Sequence, residues 1–189
     1  MSDYEAIKFT AEEALAAGRF EESLCAANVL VDAGEPWLID GLLRRALALE
    51  NWKEGPSDRL VAAASDWRRL VEIAPASISF RGLARVLMKL GERDAAFVNL
   101  LEAEAKGLTP EVLLGFADFY RTASPPDLER AKLYFLRAAL RGRTQGMRGY
   151  VEVAFALGQP FSAAAMTSIA VVATPLLALV LGKRRHAGF

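Results

Sequence analysis

Glycine and proline interrupt this chain at short, regular intervals, and that punctuation restricts it to short helices. Breaks fall at Gly18, Gly34 with Pro36, Gly55-Pro56, Pro75, Gly91, Gly107, Pro125-Pro126, Gly142, and Gly158 with Pro160. Between them, apolar residues recur at helical spacing: Ile7, Ala11, Ala14 and Leu15 share one face, while Lys8, Glu12 and Glu13 fall on others. The chain is rich in Ala, Leu and Arg and poor in β-branched residues before its tail, which favours helix over strand. Helices are expected over 3–17, 21–31, 37–49, 58–73, 77–90, 94–106, 109–121, 127–141 and 144–157. Thr109-Pro110-Glu111 is a helix start, with Thr as cap, Pro at the first position and Glu in the first turn. Ser57 or Asp58 is the expected cap of the fourth helix.

The breaks repeat. Gly18 and Gly91 are 73 residues apart, and Asp58 and Asp127 are 69 apart, as are Ala62 and Ala131. Half of either distance is about 35 residues, the length of one helical hairpin. A lone hairpin cannot bury its apolar face, so neighbours must stack. The expected fold is an all-α, right-handed solenoid of hairpins over residues 1–158.

Two segments resemble known repeat families. LLGFADFYRTASPPDLERAKLYFLRAALRG is similar to a Sel1-like repeat through Ala117, Tyr120, Asp127, Ala131, Tyr134, Ala138, Ala139 and Gly142. LARVLMKLGERDAAFVNLLEAEAKG resembles a tetratricopeptide repeat through Ala84, Leu87, Gly91, Ala96, Leu100 and Ala103, with Arg93 where an aromatic is usual. Residues 10–34 and 37–75 match less fully. The resemblance implies a groove lined by the first helix of each repeat. In that groove it places Arg81, Arg85 and Lys89, four apart on one helix face, then Asp118 and Arg121, then Lys8 and Glu12. It also implies protein partners, with Arg81, Arg85, Lys89 and Arg121 as candidates to hold an acidic segment.

Residues 153–182 contain no Asp, Glu, Lys or Arg, and within them FSAAAMTSIAVVATPLLALVL, residues 161–181, is apolar throughout. A bilayer core needs about 20 such residues in a helix. Lys183, Arg184 and Arg185 then sit at headgroup level, and Arg148 lies just before the run. Residues 159–189 are therefore expected to form one C-terminal transmembrane helix with a short basic tail. Ala170, Thr174, Ala178 and Gly182, four apart, make a small-residue stripe suited to packing against a membrane helix of a partner. The first 18 residues carry charges throughout and lack a signal peptide's apolar core, so the repeat domain is expected in the cytoplasm.

Catalytic constellations are missing. The one histidine is His186, and there is no CxxC, GxxxxGK[ST] or GxGxxG. Cys25, among Leu24, Ala26 and Ala27, is expected in the core. Trp37, Trp52 and Trp67 are expected to pack between helices. Lys plus Arg equals Asp plus Glu, at 23 each, so no bulk field favours nucleic acid. Neither a metal nor a cofactor is expected. The reading is a non-catalytic, membrane-anchored adaptor for a membrane protein complex. Such proteins are similar to accessory subunits of bacterial exopolysaccharide synthesis and secretion. A tail-anchored organelle receptor and a regulatory subunit of a membrane enzyme are the alternatives.

Overall fold

The computed structural model describes residues 3–168, and all of its regular structure there is helical. Among the described residues, nine helices follow one another: α1 (Asp3–Ala16), α2 (Phe20–Ala33), α3 (Leu38–Asn51), α4 (Arg59–Ile73), α5 (Ser77–Leu90), α6 (Arg93–Lys106), α7 (Pro110–Arg121), α8 (Leu128–Ala139) and α9 (Thr144–Ala156). A further helix, α10, occupies residues 160–168. The expected boundaries hold to within two or three residues.

The punctuation works as backbone chemistry. At Gly91 the chain takes the left-handed conformation, φ 84°, which residues with a Cβ avoid. Gly91 N donates to Met88 O at 3.2 Å and Glu92 N to Leu87 O at 2.9 Å, satisfying two carbonyls that the helix end leaves open. The same pair of bonds closes α1 through Gly18 and Arg19, α8 through Gly142 and Arg143, and α9 through Gly158 and Gln159. Thr109 caps α7 as expected: its Oγ1 accepts from Val112 N at 3.3 Å. Asp127 caps α8 in the same way, accepting from Arg130 N at 3.0 Å. The expectation for α4 was wrong. Asp58 stands at the cap position but its side chain makes no capping bond.

The chain forms two compact units, residues 1–108 and residue 109 onward. In the first, each helix packs on the next from α1 to α6, and α1 also touches α3. Its core is built largely from alanines such as Ala14, Ala27, Ala46, Ala63 and Ala84, which let helix backbones come close. Trp67 on α4 is its largest fully buried side chain. It lies against Gly82 of α5, where an added Cβ would stand 2.5 Å from the indole ring. In the second unit α7, α8 and α9 pack together around Ala117, Ala131, Phe135 and Val153. Phe135 lies over Gly149 of α9, where a Cβ would come within 2.4 Å of the ring. Tyr134 stacks between Phe116 and Tyr120, with centroids 5.1 and 5.6 Å away.

Among the described residues no helix is long and apolar enough to cross a membrane. Of the expected span, 161–168 lies in α10 and the remainder lies outside the described residues, as do Ala170, Thr174, Ala178, Gly182, Lys183, Arg184 and Arg185.

The contact between Trp67 and Gly82 is testable. Gly82→Ala should raise helix propensity by about 1 kcal/mol, yet overpacking against the buried ring costs about 1–3 kcal/mol. Net destabilisation in urea unfolding is expected. A variant more stable than the parent would show that α4 and α5 are not packed this closely.

Candidate interaction surface

Helix α3 is tied to its neighbours by charge on three sides. Toward α1, Lys8 Nζ meets Asp40 Oδ2 at 2.6 Å, and Arg44 donates to Asp40 Oδ1 at 2.9 Å and to Glu12 Oε2 at 3.1 Å. Toward α2 and α4, Arg45 grips both oxygens of Asp66, at 2.8 and 2.6 Å, and reaches Asn28 Oδ1 at 3.2 Å. That bond to Asp66 raises the Arg45 pKa, against an opposing effect of burial. Toward α5, Glu50 receives Arg85 Nε and Nη2, each at 2.5 Å, and Lys89 Nζ at 2.8 Å. At 100° per residue, Glu50 projects about 80° away from Asp40 around the helix, so one acid faces α1 and the other α5. The half-buried Leu43 and Leu47 occupy the arc between them. The surface is thus an apolar strip bordered on both sides by ion pairs, with Arg44 Nε buried and without a hydrogen-bond partner at the α1 border.

Glu50 is the centre of this arrangement. Its side chain is 1 % exposed, whereas those of Arg85 and Lys89 are 33 % and 41 % exposed. Burial pushes its carboxyl up, since the charged form loses its water. Hydrogen bonds and charge from Arg85, then from Lys89, outweigh this and hold it below the usual carboxylate range. The two cations keep part of their surface in water, so the cluster leaves one net positive charge at the rim.

Arg85 and Lys89 therefore stand on one face of α5, as their spacing implied, but both are turned onto an acid of the same chain. Arg81, one turn earlier, is half-buried. In the second unit Arg121 pairs with Asp118 at 2.8 Å and Glu152 of α9 at 3.5 Å, and lies 5.8 Å from the Phe135 ring centre. Arg148 is exposed on α9. Sequence reasoning missed Glu50, although a signal was present. It precedes Arg85 by 35 residues and Lys89 by 39, about one repeat, and Lys8–Asp40 and Glu12–Arg44 are each 32 apart.

Cys25 is exposed, which corrects its expected place in the core. On α2 the inward positions are Ser23, Ala27 and Leu30, and Cys25 points away from that face. It lines an open cleft of about 580 Å³ with Arg19, Phe20, Glu22, Trp52 and Glu54. Of the three tryptophans only Trp67 is fully buried; Trp37 stacks on Tyr4, with centroids 6.0 Å apart, and Trp52 covers Gly55. Among the described residues no group of His, Cys, Asp or Glu side chains is placed to hold a metal ion.

The packing of short hairpins within each unit is that of tetratricopeptide-like repeats. Solved structures agree. TTC0263, a thermophilic TPR protein of Thermus thermophilus, is similar over 82 % of each chain, with 26 % identity and a TM-score of 0.69. The MamA protein is similar over 98 % of this chain and 96 % of its own, with 13 % identity and a TM-score of 0.59. No protein-family profile matches the sequence. No curated protein matches it either. The chain has the all-α, tetratricopeptide-like fold, a scaffold for protein interaction.

The Glu50 cluster predicts a pH dependence. Because its pKa is lower folded than unfolded, the unfolded chain binds more protons, and stability falls with falling pH. The contribution is complete above the unfolded value of about 4.3 and is lost as pH drops through the folded pKa. Glu50→Gln should cost about 2 kcal/mol at pH 7, the scale of a charge-assisted bond. Arg85 and Lys89 can still be hydrated, so the loss stays below the full penalty of an unpaired buried charge. Denaturant titrations from pH 7 to pH 3 should show a shallower acid slope in the variant; equal slopes would remove Glu50 from the account.

Proposed function

We propose that this chain is a non-catalytic adaptor, held at a membrane by residues 161–181, whose repeat helices present a protein-binding face. The observation that carries the binding part is the surface on α3. Its charges are matched within the fold, leaving the half-buried Leu43 and Leu47 as the unsatisfied feature between two ion-pair borders. A partner segment with apolar side chains at that strip and polar groups at the borders is the natural complement. Arg81, Arg85 and Lys89 then act as rim charges that tune attraction to acidic partners. The absence of any recognised site constellation in the sequence supports a non-enzymatic role.

The membrane part rests on sequence. The run 161–181 is long enough to span a hydrocarbon core, and Lys183, Arg184 and Arg185 follow it directly. The charge division supports the same orientation of parts. Residues 1–108 carry 18 Asp and Glu against 13 Lys and Arg, and residues 109–160, before the apolar run, carry 5 against 7. The basic half is thus the half that adjoins the apolar run, where anionic headgroups would attract it. In this reading Ala170, Thr174, Ala178 and Gly182 form the face that meets a partner's membrane helix. Exopolysaccharide synthesis or secretion, to which the resemblance points, is a membrane-complex process that such an adaptor would serve.

The test is membrane partition. Full-length protein expressed in bacteria should stay with membranes through alkaline carbonate washing, and a chain ending at Ser168 should be released into the supernatant while keeping its helical circular dichroism. Release of the full-length chain by carbonate would overturn the anchor.

A further inference from the structure

We infer that the exposed side of α9, with the α8–α9 corner, docks onto the surface of an anionic bilayer. The inference rests on the anchored reading above and adds a lipid-binding surface to it.

The packing of α10 carries the argument. Ala163 and Met166 are buried, so the helix starts packed on the fold. Gln159, just before it, accepts from Lys132 at 2.8 Å and donates to Glu129 at 3.3 Å, both on α8, which ties the start of α10 to the second unit. In an anchored chain the apolar run 161–181 begins at this packed start, so what α10 packs on is held beside the headgroups. Three residues lie between Ala156, the last of α9, and Pro160, so the end of α9 lies within about 14 Å of the start of α10.

The surface near that point suits anionic lipid. Phe161 and Leu140 are the two most exposed large apolar side chains among the described residues, at 90 % and 78 %, and Phe155 is 58 % exposed. Thr144, Arg148, Val151 and Phe155 follow at steps of four, three and four, one stripe along α9. Arg141 adjoins Leu140 at the corner and is exposed. Arg143, beside it, pairs with Glu111. Between residues 130 and 160 the sequence holds six Lys and Arg; of these Arg130, Lys132 and Arg143 pair with Asp127, Glu129 and Glu111, and the one acid of the stretch, Glu152, pairs with Arg121. Arg141 and Arg148, set among exposed apolar groups, match a headgroup layer, where each basic residue adds about fivefold to binding.

The experiment uses the full chain with Cys25→Ser and Thr144→Cys, spin-labelled at 144 and reconstituted into vesicles with and without 30 % phosphatidylglycerol. Docking predicts that the label becomes at least threefold less accessible to a water-soluble nickel relaxant in the anionic vesicles than in detergent. It also predicts that Arg141→Gln with Arg148→Gln restores access. A label that stays fully accessible in chains that float with the vesicles overturns docking and leaves the anchor standing. Failure to float overturns both. Protection that is equal in zwitterionic vesicles overturns the anionic surface. Protection accompanied by spin–spin broadening shows a second copy covering the face and overturns the lipid assignment.

Discussion

A carboxylate removed from water must be met by positive charge or give up its own. Glu50 keeps its charge because α5 brings two cations to it, and α5 can do so only when α4 has packed correctly between them in sequence. The clamp therefore reports on the stacking of two successive hairpins. Its net contribution to stability relative to an apolar pair is small by the usual balance of desolvation and attraction. Its effect is on pairing: a helix that brought no cation to Glu50 would leave a buried acid unmatched.

Register is set by shape. The notch at Gly82 accepts Trp67, and the notch at Gly149 accepts Phe135. One pair joins α4 to α5 in the first unit and the other joins α8 to α9 in the second. In both, a large ring of a hairpin's second helix enters a gap in the first helix of the hairpin that follows. Ion pairs then border the face on which the first helices lie side by side. Within each unit the interior is specified by volume, and in the first unit the face of α3 is bordered by charge.

The helices and their period were legible because glycine, proline and apolar spacing act locally. Thr109 could be read as a cap since everything that it needs lies within four residues. Asp58 has the right residue type at the right position and still makes no cap: its backbone, at φ −89° and ψ 3°, lacks the extended conformation that Thr109 adopts at φ −81° and ψ 160°. Cys25 shows the weakness of neighbourhood as a guide: Leu24, Ala26 and Ala27 adjoin it in sequence, yet adjacent helix positions point about 100° apart. The role of Arg85 and Lys89 depended on which acid lay opposite, a fact about the previous repeat. The period of about 35 residues held that information, but it becomes usable only once the helix faces are assigned.

The charge ladder has a consequence for how such a chain can change over time. On facing sides, α1 carries a cation and then an acid, at Lys8 and Glu12, and α3 answers with an acid and then a cation, at Asp40 and Arg44. The edge of α3 that meets α5 is acidic at Glu50, and α5 answers with Arg85 and Lys89. Within the first unit each hairpin is thus addressed to its neighbour. Deleting the α3–α4 hairpin would set Lys8 of α1 against the basic face of α5, and duplicating it would oppose a second Asp40 to the first Glu50. Repeat proteins commonly grow and shrink by whole units; here the order of the hairpins is written into their flanks, so shuffling them would have to rewrite the charges as well.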